Sequence, residues 1–369
     1  MLAKIFNDRM IKTGVVNLPL HYGSCPKWLF EKMKSLAGII SEVIVYEYGQ
    51  EEYLKRLSNP FFFQALGCVL SFDWHSSGLT TTVCGALKES LNKLDLGIKI
   101  AGGKGKASRK TMEEIESNDF SLSDKEIEKL KYASKMSARV DNNCVQDGYQ
   151  LYHHSFIFTE KGKWVVIQQG MNVNYARRYH WVSDNLNSFV EEPHFAVCGD
   201  KKEENVLDMT CKENEQARKA SVDLVKDNPN HLKKYFTSQR ILSDFCNGIT
   251  FPKHHPISLK DIGENGMKVL QKAYEIQPEN YEELVALKGM GPKKIRALAL
   301  ISNLVFGTEI KWKDPVKYTF THGGKDGFPY PVDRETYNNS ILTLKEAIEQ
   351  AKLDNKEKIN AVKRLGIFL

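Results

Sequence analysis

The chain has 369 residues, of which 41% are hydrophobic and 27% charged, and its formal net charge is +6 at pH 7. This length predicts two or three domains with a sizeable buried core, and the composition excludes disordered and fibrous proteins. The longest apolar stretch, GIISEVIVY, is interrupted by Ser41 and Glu42, and the first residues lack the apolar core of a signal peptide, so we expect a soluble cytoplasmic protein with no membrane contact.

The positive charge is unevenly distributed along the chain. Residues 1–230 contain 30 basic and 30 acidic side chains, whereas residues 231–369 contain 22 basic and 16 acidic ones. This favours a phosphate-bearing partner for the C-terminal part, although a modest excess is also common in proteins that bind no nucleic acid.

The cysteines are scattered and odd in number. There are seven of them with no C-x-x-C pair, which argues against a closed set of disulfides. His194, Cys198 and Cys211 are one candidate zinc site. However, HFAVC alternates like a strand, so His194 and Cys198 share a face only because they happen to lie an even number of residues apart.

A polar loop interrupts the helical pattern of the N-terminal region. The stretch after Pro60 predicts two helices separated by DWHSSG, which contains Asp73 and His75. Asp and His in a loop between rigid helices are residue types that acid–base chemistry uses. A capping loop with a structural tryptophan and histidine is an equally good interpretation.

A basic, glycine-rich loop follows in IKIAGGKGKASRK. Lys104, Lys106 and Arg109 lie among three glycines ahead of a helix, a pattern that wraps phosphate with backbone amides. The spacing is not that of a Walker loop, so no nucleotide cofactor is indicated. The alternative is a solvated flexible loop.

From Gln150 onward the pattern changes to strands. QLYHHSFIFTEKGKWVVIQQGMN alternates on both sides of Lys161-Gly162 and predicts a β-hairpin, in which His153 and His154 point to opposite faces. Basic and aromatic side chains alternate in NYARRYHWVSDN. This pattern suits a surface that binds phosphate and stacks a nucleobase, or else the edge of an aromatic core. The candidate catalytic residues, predicted to line one cleft, are Asp73, His75, His153 or His154, Gln168, Arg177, Arg178 and His180.

The chemistry expected of such a cleft is cleavage of a phosphodiester. The sequence shows no cluster of carboxylates that would indicate a metal-dependent nuclease, and histidine and arginine suffice as acid or base and as stabiliser of the charged phosphorane. A divalent metal is an alternative cofactor, but the sequence assigns no ligands to it.

The C-terminal part contains LVALKGMGPKKIRALALIS, which predicts two short helices joined by a glycine turn. Gly289 and Gly291 permit positive φ, and Pro292 suits the first turn of a new helix, whose free N–H groups bind anions. The stretch resembles the helix-hairpin-helix motif of DNA glycosylases, ligases, nucleases and polymerases. The resemblance implies sequence-independent binding of the DNA backbone through Leu287, Lys288, Gly289, Met290, Gly291, Lys293 and Lys294. An ordinary helical hairpin is the alternative.

Nearly the whole chain is similar to one protein family. The stretches NPFFFQALGCVLSFDWHSSGLTTTVCGALKE, HHSFIFTEKGKWVVIQQGMN and PVKYTFTHGGKDGFPYPVDRETY resemble the archaeal and bacterial family called domain of unknown function 763. The resemblance implies a prokaryotic, archaeal protein of the cytoplasm and suggests a nuclease-type N-terminal module.

Two other functions fit parts of the sequence. Helix-hairpin-helix glycosylases carry a reactive lysine after the glycines and an aspartate downstream, which Lys293 and Asp333 match, although their separation is about twice that usual in those enzymes. A nucleophilic lysine also needs a buried site to lose its proton. The other alternative is a DNA-binding accessory protein without catalytic activity.

The sequence as a whole predicts an α+β protein that binds and processes DNA. The predicted domains are an α/β nuclease-type module with a β-hairpin over residues 1–205, a helical connector over 206–257, and a helical DNA-binding domain over 258–369.

Overall fold

The computed structural model describes residues 25–70, 77–173, 175–199, 202–232 and 263–316. In these residues helices pack on both faces of an antiparallel sheet, which confirms the α+β class. Among the helices described, none combines the length and the apolar composition that crossing a bilayer requires.

Three helices cover the first face of the sheet: α1 (Lys27–Ser58), α2 (Pro60–Val69) and α3 (Ser77–Leu91). Helix α1 is kinked at Gly49, which has φ 84°. Between α1 and α2, Asn59 caps the second helix by accepting a hydrogen bond from the Phe61 amide at 2.9 Å, and Pro60 occupies its first position.

The central sheet has five antiparallel strands in the order β1 (Ile98–Lys104), β3 (Gln150–Thr159), β4 (Trp164–Met171), β5 (Ala176–Val182) and β6 (Ala196–Cys198). The predicted hairpin is the β3–β4 pair. Its register places His153 opposite Gln169 and His154 opposite Gln168, with an irregularity between Leu151 and His153.

The two faces of the sheet enter different cores because successive side chains point in opposite directions. Ile157 and Ile167 pack against α1 to α3, whereas Phe156, Val166 and Trp181 pack on the other side.

The second face is covered by α5 (Asp124–Asn143), preceded by the short α4 (Thr111–Glu116). Helix α5 begins with a capping box in which Ser123 and Glu126 satisfy each other's backbone amides. A small sheet pairs β2 (Val145–Gln146) with β7 (Leu207–Asp208).

The remaining described helices extend this second core. They are α6 (Glu215–Lys226), α7 (Gly263–Ile276), α8 (Tyr281–Ala286) and α9 (Pro292–Phe306). Leu284, Ile295 and Leu298 lie in the same hydrophobic core as Met136 of α5 and Phe156 of the sheet. The described C-terminal helices therefore share a core with the N-terminal module, and the domain boundaries predicted near residues 205 and 257 stay predictions.

Candidate functional site

The predicted catalytic residues of the sheet divide between its two faces. His154, Gln168 and Arg177 lie on the face covered by α5, whereas His153, Arg178 and His180 lie on the face covered by α2 and α3. The alternation that separates the two histidines separates the two arginines as well, so these residues do not line one common cleft. Asp73 and His75 lie outside the described residues.

A cleft of about 280 Å³ lies beside the N-terminal half of β3. Its walls come from the turn that follows β1, from α4 and α5, and from β3 itself. The lining residues are Ser108, Thr111, Met112, Ser134, Lys135, Ala138, Arg139, Leu151, Tyr152, His153 and His154. Of the predicted catalytic residues, the cleft thus brings together the two adjacent histidines.

His154 joins the cleft to a buried chain of hydrogen bonds. Its Nε2 lies 2.8 Å from the Ser134 Oγ, and its Nδ1 lies 2.7 Å from the Gln168 Oε1. The Gln168 amide nitrogen in turn donates to the carboxylate of Asp141.

The carboxylate of Asp141 determines which atoms donate and which accept in this series of hydrogen bonds. Because a carboxylate only accepts hydrogen bonds, the nitrogen of the Gln168 amide faces Asp141 and its oxygen faces His154. The proton of the imidazole therefore lies on Nδ1, and Nε2 accepts from the Ser134 hydroxyl. Burial lowers the pKa of His154, so the ring is neutral at pH 7 and its Nε2 is a base.

Asp141 is held by donors from three elements. In addition to Gln168, it accepts a hydrogen bond from the Trp181 indole at 3.0 Å and one from the His194 ring. With all three donors in place the carboxylate is fixed in position, and the imidazole of His154 is oriented through Gln168.

Sequence reasoning missed Ser134, Asp141 and His194 as members of this arrangement. Ser134 and Asp141 are seven residues apart on α5, which places them on one face of the helix. Their neighbours on that buried face include Leu130, Ala133 and Val140. The signal that would have indicated them is the group of polar residues among the buried residues of this helix, which are Ser134, Ser137, Asp141 and Asn143.

On the opposite face, Arg178 and His180 are enclosed in the first core. Arg178 lies 4.6 Å from the ring centroid of Phe63 and donates to the Thr80 Oγ1 at 3.1 Å, and the ring of His180 packs edge-on against the same phenylalanine. Burial lowers the pKa of His153 to about 3 and that of His180 well below its ordinary value. Arg178 and His180 are fully buried and, unlike His154, do not line the cleft, which suits packing and not contact with a substrate.

Arg177 links two distant parts of the chain. Its guanidinium contacts Asp147 at 2.9 Å and Asp314 at 2.8 Å, and it lies 4.5 Å from the ring centroid of Tyr149. Burial disfavours the charge, but the two carboxylates outweigh it and raise the pKa of Arg177. This arginine connects β5 to the segment after α9, which is a structural role.

The basic turn after β1 lies at the cleft. Residues Gly105–Lys110 form a 3₁₀ turn in which Lys106 and Arg109 are exposed, as is Lys104 at the end of β1. Gly102, just before the turn, has φ +87°, and a Cβ there would lie 2.2 Å from the carbonyl oxygen of His154. Glycine is therefore required at position 102 for β1 to approach β3 this closely.

The two short helices and the glycine turn predicted in the C-terminal part are present. Helix α8 ends at Ala286, Gly289 adopts φ 91°, and Gly291 precedes α9. Lys288 and Gly289 are exposed, and Lys293 and Lys294 are half-buried. Burial and the neighbouring Lys293 charge lower the pKa of Lys294.

The apolar residues of this turn, Leu287 and Met290, are partly or fully buried. Met290 is buried, and its amide donates to the Leu287 carbonyl at 3.1 Å. Leu287 is partly buried against the second core. Asp333, the predicted partner of Lys293 in a lyase, lies outside the described residues.

Helix α5 connects the turn to the cleft. Arg139, which lines the cleft, donates to the carbonyls of Val285 and Leu287, each at 2.9 Å, where α8 ends. Further along α5, Asn143 donates to the Met290 carbonyl at 3.1 Å. The cleft and the glycine turn are therefore held by the same helix.

The described residues contain no group of three histidine, cysteine, aspartate or glutamate side chains arranged to hold a metal ion. The candidate zinc site is not assembled: His194 instead bonds to Asp141, while Cys198 and Cys211 are free thiols.

Comparison with known proteins identifies the family. A family model described as "Protein of unknown function (DUF763)" matches residues 14–332. No curated protein matches the chain, and no solved structure matches it. Because the family model spans most of the sequence, including β1 to β6, the cleft and the glycine turn, the chain belongs to the DUF763 family.

Proposed function

We propose that the protein binds the backbone of DNA through the turn between α8 and α9 and cleaves phosphodiester bonds in the cleft beside β3. The class of reaction is phosphoryl transfer without a nucleotide cofactor. The turn provides affinity and the cleft provides the chemistry.

Free backbone donors support DNA binding by the turn. The amides of Lys288, Gly289 and Gly291 donate to no backbone carbonyl of the described residues. These amides precede the N-terminal end of α9, where the helix dipole favours negative charge, and Lys293 and Lys294 lie in its first turn. Such a site fits a phosphate group without regard to base sequence.

The chemistry of the cleft supports phosphodiester cleavage. His154 is neutral and presents Nε2 as a proton acceptor, while Lys135 and Arg139 line the same cleft. Cationic groups placed beside a reacting phosphate stabilise the charge that develops in the transition state. The exposed bases of the 3₁₀ turn, Lys106 and Arg109, extend this positive surface at the cleft.

The observation that carries the proposal is the position of Arg139. It lines the cleft and also donates to the carbonyls at the end of α8, so one side chain joins the proposed binding surface to the proposed site of cleavage. Binding and cleavage surfaces on one helix are what a DNA-processing enzyme needs.

A cleavage assay tests the proposal. End-labelled single-stranded, double-stranded, flapped and abasic DNA are incubated with the wild-type protein and with His154→Ala, with and without divalent metal. Loss of the general base should slow cleavage by about 100-fold or more. The matched control is His231→Ala, which alters an exposed histidine on the segment after α6 and should cleave at the wild-type rate.

The outcomes separate the candidate functions. Cleavage at the wild-type rate by His154→Ala would contradict the assignment of the cleft. Loss of activity on abasic DNA alone in Lys293→Ala would favour the lyase. Binding without cleavage of any substrate would indicate an accessory protein.

A further inference from the structure

We propose that Ser134 is a nucleophile activated by His154, so that the cleft first transfers a phosphoryl group to its own serine. The substrate class, a phosphodiester of nucleic acid, rests on the function proposed above. The nucleophile itself rests on geometry that does not depend on DNA.

The hydrogen-bond geometry assigns a role to each member of the arrangement. The Ser134 hydroxyl donates to the His154 Nε2 over 2.8 Å, and Nδ1 of the same ring donates to Gln168 over 2.7 Å. A hydroxyl, an imidazole and an acceptor that orients the imidazole are the three parts of a serine nucleophile with its base. Here the orienting acceptor is an amide oxygen, and Asp141 fixes that amide from behind.

The position of Ser134 distinguishes it from its neighbours on α5. Ser134 and His154 both line the cleft and are both buried, with 0% and 7% exposure. Ser137, one turn further along, donates to the backbone carbonyl of Ser134 at 3.0 Å and does not line the cleft. A substrate phosphate must therefore enter the cleft, next to Lys135 and Arg139, to reach the serine.

The step conserves protons and charge. His154 Nε2 takes the proton of the Ser134 hydroxyl as Oγ attacks phosphorus, and the bond from phosphorus to the leaving DNA oxygen breaks. The imidazolium then gives its proton to that oxygen, which departs as a free hydroxyl. The product is a phosphodiester between Ser134 and one DNA end, with no change in oxidation state.

The reverse step decides what the enzyme produces. His154 takes the proton of an incoming hydroxyl as that oxygen attacks phosphorus, the bond between phosphorus and the Ser134 Oγ breaks, and the imidazolium gives its proton to Oγ. When the incoming group is water the strand is hydrolysed, and when it is a DNA hydroxyl the strand is rejoined.

A serine-reactive reagent tests the nucleophile without DNA. The full chain is treated with a biotinylated fluorophosphonate, in which a reactive serine oxygen displaces fluoride, and the labelled peptide is identified by mass spectrometry. The label is expected on Ser134 of the wild-type protein. His154→Ala should label at least about 100-fold more slowly because the base is lost.

The matched control is Ser137→Ala, which also removes a buried serine hydroxyl from α5 and should label like the wild type. Ser134→Ala should not label. Because the modified residue is identified in the wild-type protein, the test does not depend on the folding of any variant. Absence of label on Ser134, or labelling of another serine at the same rate, overturns the proposal.

A second arm uses end-labelled DNA quenched in denaturing detergent. A protein–DNA adduct at Ser134 supports both proposals. If Ser134→Ala cleaves DNA at the wild-type rate, the nucleophile is overturned while the proposed function stands. If Ser134 is labelled by the fluorophosphonate but no DNA is bound, the nucleophile is supported and the proposed DNA substrate fails.

Discussion

Burial determines what each histidine of the sheet can do. His154 lines the cleft and forms hydrogen bonds with Ser134 and Gln168, so its neutral ring is available as a base. His180 is completely buried against Phe63. The same residue type on one sheet is therefore placed for the proposed chemistry at one position and for packing at the other.

The buried His153 should make stability depend on pH. Burial holds its pKa at about 3 in the folded protein, whereas an unfolded histidine titrates near 6.5. Between these values only the unfolded state takes up the proton, so the free energy of unfolding decreases as pH falls below 6.5, by up to roughly 1.4 kcal/mol per pH unit.

Urea unfolding of the wild type and of His153→Gln between pH 7 and pH 4.5 measures this contribution. The variant should lose less stability than the wild type as pH falls, because the proton uptake by the unfolded histidine is gone. Taking the difference between the two proteins cancels Asp208, whose pKa burial raises to about 6 and which acts in the opposite direction. A difference that does not change with pH would contradict the prediction, and His231→Gln, at an exposed position, is the control.

At the scale of elements, the turn between α8 and α9 depends on one glycine more than on the other. Gly289 has φ 91°, and a Cβ there would lie 2.9 Å from a methyl carbon of Val269. Gly291 has φ −103° in extended backbone, and a Cβ there would meet nothing closer than 4.0 Å. The pair offers a test and its control two residues apart.

Gly289→Ala should reduce the free energy of unfolding by about 1–2 kcal/mol, because alanine is strained at positive φ. Chemical denaturation measures the change. Gly291→Ala should remain close to the wild type. Equal effects of the two substitutions would show that the turn does not retain this conformation in solution.

At the scale of the whole molecule, helix α5 contacts both the cleft and the glycine turn, because it packs between the sheet and the C-terminal helices. If the turn binds phosphates, affinity for DNA must depend on salt, because each neutralised phosphate releases counterions. This dependence reports the number of contacts and is independent of base sequence.

Removing both lysines of α9 should change that dependence. In Lys293→Ala/Lys294→Ala the slope of log affinity against log salt should fall by roughly 2, at about 0.9 for each phosphate contact, and binding should weaken alike for all sequences. Fluorescence anisotropy over a range of salt concentrations measures both. The control Lys93→Ala/Lys161→Ala removes two exposed lysines near the end of β3 that lies away from the cleft. This variant should keep the wild-type slope. An effect confined to one DNA sequence would argue against backbone binding.

Local patterns in the sequence determined several features by themselves. Alternation over QLYHHSFIFT predicted the β3–β4 hairpin and the opposite orientation of His153 and His154, and it separates Arg177 from Arg178 by the same rule. Helical spacing and the two glycines predicted α8, the turn and α9. These features can be predicted from the sequence because they depend on residues within about one helical turn or one strand.

Only the tertiary structure decided which of these side chains meet. Ser134 and His154, Asp141 and Gln168, and Arg139 and Leu287 are each separated by 20 or more residues in the chain. Their contacts depend on which face of the sheet α5 covers and on where α8 ends against it, and no local period encodes either. The polar arrangement at the cleft follows from this packing, since buried donors and acceptors must find partners wherever the fold brings the elements together.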